Sequence, residues 1–211
     1  TGAVLVVDSD GRISFDYQPM TRMGVNCTAE QDGHRESNGY NTSGREGFEF
    51  FSDARVDTLS DEAVRRTLFL FEASPAPAGS FPCVLSAGSS GILLHEAIGH
   101  GMEADFNRKN ISVYSEKLNK TIAPTDVTIV DDGTQAGARG SINVDDEGVT
   151  GQRTVLVENG ILRTYMHDRI SAMHYGVEPT GNGRRESFRH PPLPRMRNTY
   201  MLPGPHDPED I

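Results

Sequence analysis

Cys27 and Cys83 are the only two cysteines in 211 residues, and a pair so widely separated builds no disulfide framework. That scarcity fits a reducing compartment, and a cytoplasmic location is expected. Basic residues are also short, with 20 Lys and Arg against 30 Asp and Glu, for a formal charge of -10. A surface of that sign does not neutralise phosphates, so no direct nucleic-acid partner is expected. No apolar run approaches the roughly 18 residues that cross a bilayer, so no membrane partner is expected either. Repeats and low-complexity tracts are missing as well. Four Asn-X-Ser/Thr tripeptides, beginning at Asn26, Asn41, Asn110 and Asn119, are read as chance matches left unmodified.

Against this plain background stands His95-Glu96-Ala97-Ile98-Gly99-His100. Two imidazoles and one carboxylate within six residues are the minimum set for zinc-assisted hydrolysis. The common metalloprotease spacing sets the histidines four apart on one helical face; here they are five apart. In a regular α-helix that step rotates the second ring roughly 140° from the first, too far for a shared ion. Gly99 and Gly101 flank His100, so a π-bulge or an early helix end is expected at Ile98 to Gly101.

Alone, the six residues are only suggestive, because His and Glu on a partly exposed helix are usually solvated. Their setting adds weight. Cys83-Val84-Leu85 reads as an apolar strand, Ser86 to Gly91 as a tight turn, and Ile92-Leu93-Leu94 as a buried helix start. The His-Glu pair is therefore expected to be partly buried. An iron site of two histidines and a carboxylate is a further possibility for the same donors.

The stretch from Gly91 through His95, Glu96, His100 and Glu103 to Phe106 resembles the signature of the TldD/PmbA family, the so-called modulators of DNA gyrase. Further landmarks follow in family order: Pro75 to Gly79, Val130 to Thr134, Asp145 to Gly148, Glu158-Asn159-Gly160 and Thr180 to Ser187. The intact His-Glu motif places the chain nearer the TldD side. The resemblance implies a zinc-dependent peptidase of HExxxH type acting on peptides or unfolded segments, with His95 and His100 as metal ligands and Glu96 as general base. It implies a third ligand, a cysteine near the family's C-terminal end. No cysteine follows Cys83, so that ligand is expected beyond this chain. The chain is read as an internal fragment, inactive by itself. Residues 1–76 would end the family's second region, and 77–211 would begin a truncated C-terminal metallopeptidase region. A homodimer, or a heterodimer with a metal-free paralogue, is also implied. The competing reading is a noncatalytic peptide-binding or assembly subunit with an incomplete metal site.

Other donors have more ordinary expected roles. Cys83 reads as a small core residue, Glu103 and Asp105 as capping or ion-pairing groups, and His167 and His174 as packing histidines seven apart on one helix face. His190 is the remaining alternative ligand. Asp131-Asp132 and Asp145-Asp146-Glu147 adjoin glycine and read as turns with solvated carboxylates. Gly181 to Ser187 reads as a glycine-rich connection rather than an anion-holding loop.

The fold class expected is α+β. Ala3 to Val7 and Arg12 to Asp16 flank a turn, with Ile13, Phe15 and Tyr17 alternating as in a half-buried strand. A second hairpin turns at Asp32-Gly33. A helix N-capped by Ser60 carries Val64, Leu68 and Phe71 onto this N-terminal sheet. In the second region, which also bears the motif helix, strands are expected at Asp126 to Val130, Thr154 to Glu158, Ile161 to Tyr165 and Met196 to Leu202. Asn159-Gly160 is the strongest hairpin signal, and a short helix from Asp168 to Tyr175 is expected to stop at Gly176.

Overall fold

The computed structural model describes residues 2–88 and 90–207. The chain divides into two compact units, one holding Gly2 and Gln18–Cys83, the other Ala3–Tyr17 and the residues from Val84 onward. The architecture is α+β with small antiparallel sheets, as the sequence pattern implied.

The opening hairpin, β1 (Gly2–Val7) and β2 (Ile13–Gln18), belongs to the second unit except for its outermost residues. Its alternation is real but faces the opposite way from expectation. Ile13, Phe15 and Tyr17 are 55–70% exposed, whereas Asp16 is fully buried. Directional polar contacts decide the orientation: the Asn143 backbone N–H and Nδ2 donate to the Asp16 carboxylate at 3.1 and 2.6 Å, and Ser14 Oγ donates to the Gly148 carbonyl at 3.4 Å.

The first unit is a long hairpin covered by one helix. Strands β3 (Thr21–Gln31) and β4 (His34–Gly44) pair in continuous register from Thr21↔Gly44 to Gln31↔His34. Asp32 and Gly33 make the tight turn with φ of 53° and 80°, the left-handed geometry that matches strand twist. Helix α1 (Asp53–Phe69) starts at Ser52, whose hydroxyl accepts from the Arg55 N–H. Ser60, the expected cap, lies mid-helix because the capped start comes eight residues earlier. The helix does pack on this sheet, but through Leu59, Ala63 and Thr67. Val64 and Leu68 are exposed. Thr67 Oγ1 reaches the Cys27 carbonyl, and Arg66 lies over the Tyr40 ring at 4.4 Å.

Residues 81–86, where the first unit ends and the second begins in sequence, form no strand, and Cys83 is exposed. The strand expected there lacks a pairing partner among the described residues. Helix α2 (Gly91–Leu94) leads into the motif, and α3 (Ala104–Arg108) follows it. A four-stranded antiparallel sheet has the order β10 (Thr199–Met201), β5 (Ile129–Asp132), β6 (Arg153–Glu158), β7 (Ile161–Leu162). Asn159 and Gly160 form the left-handed β6–β7 turn, with φ of 48° and 78°. Helix α4 (Arg169–Tyr175) is N-capped by Asp168, which accepts from the Ser171 N–H at 2.7 Å, and it ends at left-handed Gly176. A short ladder of β8 (Gly183–Arg184) and β9 (Leu193–Pro194) completes the unit. Met102, Ala104, Ile129, Leu156, Val157, Leu162, Tyr165, Met166 and Met196 form the core.

Asp145 to Gly148 makes the expected turn, closed by the Gly148 N–H to the Asp145 carbonyl at 3.0 Å, but the Asp145 carboxylate is not solvated, and Asp131-Asp132 makes no turn. Asp131 and Asp132 belong to β5, and both are buried with Asp145. Asp131 accepts from Asn182 Nδ2, the Arg197 N–H and Thr199 Oγ1 at 2.7–2.9 Å. Asp145 accepts from the backbone of Glu147, Val149 and Gly183, each at 2.9 Å. Burial pushes both carboxyls up, and these donors oppose it. Such complete pairing is what makes a buried acid tolerable. The Gly181 to Ser187 segment is part of this framework: Arg197 Nε and Nη2 donate to the Gly181 and Gly183 carbonyls at 3.0 and 2.9 Å.

His167 and His174 do not share a helix face, because His167 precedes the Asp168 cap and lies outside α4. His167 is 2% exposed, with Nε2 3.3 Å from Thr164 Oγ1 and Nδ1 buried without a partner. Burial pulls its pKa down to about 4, against a smaller opposing effect of Asp168. In the unfolded chain the ring takes up its proton near pH 6.5. Below that pH the unfolded state binds the extra proton, so stability present at neutral pH is lost between about pH 6.5 and 4. The expected loss is on the order of 3 kcal/mol by acid-dependent denaturation, and His167→Gln should flatten that part of the profile.

Candidate metal centre

The motif is not a continuous α-helix. Residues His95–Gly99 form a π-helical turn, and His100–Met102 a 3-10 turn. The defining hydrogen bond runs from the His100 N–H to the His95 carbonyl, an i to i+5 closure. A wider turn is the geometry that five-residue spacing requires if both rings are to lie on one side. The expected irregularity is therefore present, beginning slightly earlier than Ile98.

Size, not unusual dihedrals, explains the glycines. Gly99 is buried with helical dihedrals, and a Cβ there would overlap the Met196 Sδ. A Cβ at Gly101 would stand 2.6 Å from Tyr114 Cε2. Two carbonyls of the irregular turn accept side-chain hydrogen bonds. Tyr114 Oη donates to Ala97 O at 3.4 Å, while Ser112 Oγ and Asn107 Nδ2 donate to Gly101 O at 2.6 and 2.8 Å. Leu94, Ile98 and Met102, at four-residue intervals, pack into or against the core. His95 and Glu96 are left on the outer side, exposed, with His100 half-buried. The expected partial burial of the His-Glu pair does not hold, because Ile92 and Leu93 ahead of it are themselves exposed.

His95, Glu96 and His100 nevertheless converge. One ligand atom from each lies within 4.8 Å of the others, and this is the one such group of three or more found among the described residues. The two rings meet edge to face, with centroids 4.7 Å apart and planes at 86°. Tetrahedral zinc with bonds of ~2.0–2.1 Å needs ligand atoms roughly 3.3 Å apart. Small rotations of exposed side chains cover that difference, so the donors suit zinc in chemistry and in placement.

The alternative ligands lie elsewhere in the hydrogen-bond network. His174 packs on the Tyr175 ring, and His190 pairs with Ser187 Oγ through Nδ1 at 3.0 Å. Asp105 is buried, 3.9 Å from Arg195 Nη1. Glu103 is fully buried and engages His100 itself: Oε1 lies 3.2 Å from His100 Nδ1, and Oε2 accepts from Arg195 Nη1 at 3.1 Å. Burial pushes the Glu103 carboxyl up, while Arg195 and His100 pull it down. Ion pairing was foreseen for Glu103, but not its partners. The i, i+3 spacing to His100 was the available signal.

Residues 78–211 match the family model of the PmbA/TldA metallopeptidase C-terminal domain, and residues 1–70 that of its central domain. This chain belongs to the TldD/PmbA metallopeptidase family. It is 45% identical over 215 residues to the metalloprotease TldD homolog of Buchnera aphidicola subsp. Schizaphis graminum, covering 99% of this chain and 44% of that protein. Over 141 residues it is 41% identical to the zinc metalloprotease TldD homolog of Saccharolobus solfataricus, covering 66% of this chain and 31% of that one. The crystal structure of TldE from Thermococcus kodakarensis shares the fold, with a TM-score of 0.79 at 20% identity over 98% of this chain and 46% of its own. The chain thus spans less than half the length of these relatives.

Within this TldD/PmbA chain, Gly99 tests how closely the motif depends on its seating. Gly99→Ala should cost about 1–3 kcal/mol by overpacking, measured by denaturant unfolding. Combining it with Met196→Ala should recover part of that loss; additive losses would show that Met196 is not the obstruction.

Proposed function

We propose that this chain carries the zinc ligands and general base of a peptidase, with His95 and His100 holding the ion and Glu96 moving the proton. The observation that carries the reading is the convergence of these three side chains on one outward-facing point. Zinc in the name of the Saccharolobus solfataricus relative supports the choice of metal, as does the nitrogen-rich donor set. Bound zinc supplies Lewis-acid polarisation of water and of a peptide carbonyl.

The protein's part follows from the residue types. Neutral imidazole nitrogens donate lone pairs without cancelling the ion's charge. A carboxylate oxygen of Glu96 accepts a proton from the attacking water and returns it to the leaving amine. The third protein ligand in this reading is a cysteine from sequence following this chain, and the chain alone is inactive. The substrate is a peptide or unfolded segment held extended by main-chain pairing beside a strand.

The active form is a homodimer or a heterodimer with a metal-free paralogue, in the cytoplasm. The exposed apolar side chains of the β1–β2 hairpin support association, and the scarcity of cysteine supports the compartment. The net charge of -10 argues against a direct nucleic-acid partner.

In the full-length protein, Glu96→Gln should retain zinc by elemental analysis yet lose at least 100-fold in cleavage of an unstructured peptide, within the typical reach of acid–base catalysis. Equal turnover in wild type and variant would remove Glu96 from the mechanism and favour the noncatalytic subunit. His100→Ala should release the metal, and unchanged zinc content would reject that ligand. Iron instead of zinc in the same assay would redirect the chemistry.

A further inference from the structure

The ion pair of buried Glu103 with partly buried Arg195 has no part in the scheme above, yet it touches the site. Glu103 is anchored on both sides of its side chain. Its segment bridges to the core through Ala104 N–H to Met166 O at 3.0 Å and Met166 N–H to Met102 O at 2.9 Å, and Asn107 Nδ2 donates to its carbonyl at 2.9 Å. Arg195 is held in turn by Asn182, whose Nδ2 donates to the Arg195 carbonyl at 2.9 Å. A carboxylate can only accept hydrogen bonds. With Oε2 on Arg195, Oε1 is left for His100 Nδ1, 3.2 Å away.

We propose that Glu103, fixed by Arg195, is the positioning residue for His100: it holds the ring as the Nδ1–H tautomer and presents the Nε2 lone pair toward His95 and Glu96. The inference rests on the zinc reading and deepens it. A ligating histidine works through one nitrogen, and the hydrogen bond of the other decides which. Here the partner is fully buried and rigid while the ring is 43% exposed, so the fixed group sets the mobile one. An ion pair serving only to join Arg195 to the fold would place no constraint on the ring.

The glutamine variant separates these roles. Glu103→Gln has one acceptor oxygen where glutamate has two, and two donors compete for it. The charged Arg195 should keep that oxygen, turning the amide N–H toward His100 and shifting its proton to Nε2. Long-range ¹H–¹⁵N spectra of the zinc-free, full-length protein report which nitrogen carries the proton, with the His100 signals assigned by their loss in His100→Gln. Wild type should show Nδ1–H, and Glu103→Gln should show Nε2–H with zinc affinity reduced roughly 10- to 100-fold by chelator competition. Adding Arg195→Met to Glu103→Gln frees the oxygen for His100 and should restore the Nδ1–H signal and most of the affinity. An Nε2–H tautomer in wild type overturns the proposal whether or not any variant folds. Unchanged tautomer and zinc affinity in a folded Glu103→Gln protein overturn it too, leaving the zinc reading intact. A wild-type protein that binds no zinc overturns that reading, and this inference with it.

Discussion

One backbone hydrogen bond, from the N–H of His100 to the carbonyl of His95, makes the rest of the site possible. It widens the helical turn so that residues five apart lie on the same side, and the two rings meet with centroids 4.7 Å apart. A regular turn would direct one ring outward and the other toward the flank. The carbonyls of Ala97 in the wide turn and of Gly101 just after it are met by side-chain donors. Tyr114, Ser112 and Asn107 supply those donors from the segment just beyond the motif. Leu94, Ile98 and Met102 secure the same turn from the core side. The glycines at 99 and 101 allow Met196 and Tyr114 to approach closely enough to do so.

Behind this turn lies a continuous polar chain through the second unit. Asp131 on β5 holds Asn182, Asn182 holds the Arg195 backbone, Arg195 holds Glu103, and Glu103 faces His100. Each member is buried or partly buried, where an unmatched charge would be far more costly than at the surface. The acidic residues of this unit are therefore structural where they are buried and paired, and open to chemistry only where they are exposed. Glu96 is exposed and unconstrained by such a network, whereas Glu103 is buried and engaged through both oxygens. Two glutamates seven residues apart thus have opposite environments.

Local backbone rules made much of the fold legible. Asp32-Gly33 and Asn159-Gly160 turned their hairpins, Asp168 and Gly176 bounded α4, and the five-residue histidine spacing required an irregular helix. In each case a short-range steric or hydrogen-bonding preference decides the outcome, and a sequence displays those preferences directly. The misreadings have a common origin in long-range partners. Asp131-Asp132 beside Gly133 has the composition of a turn, but the three donors to Asp131 come from residues 51 to 68 positions away. The alternation in β2 identified a strand but not its inward face, because Asn143 lies 127 positions from the Asp16 it binds. Helix α1 reveals the same limit: Val64 and Leu68 form an apolar stripe, yet Leu59, Ala63 and Thr67 fit the sheet.

Exposure of the motif also changes which argument supports chemistry. A buried His-Glu pair would invite a functional reading through its desolvation alone, but His95 and Glu96 are exposed. Convergence must carry the argument instead. It does so because three donors from one short segment meet at the cost of a distorted helix, and a distortion serving only packing would not need to aim two imidazoles and a carboxylate at the same point. The inward side of the motif is over-determined by core contacts, close glycine approaches and the Glu103–Arg195 pair. The outward side presents the two imidazoles and the Glu96 carboxylate, beside exposed Ala97, from a turn fixed on its inner side, the support that precise placement of such groups requires.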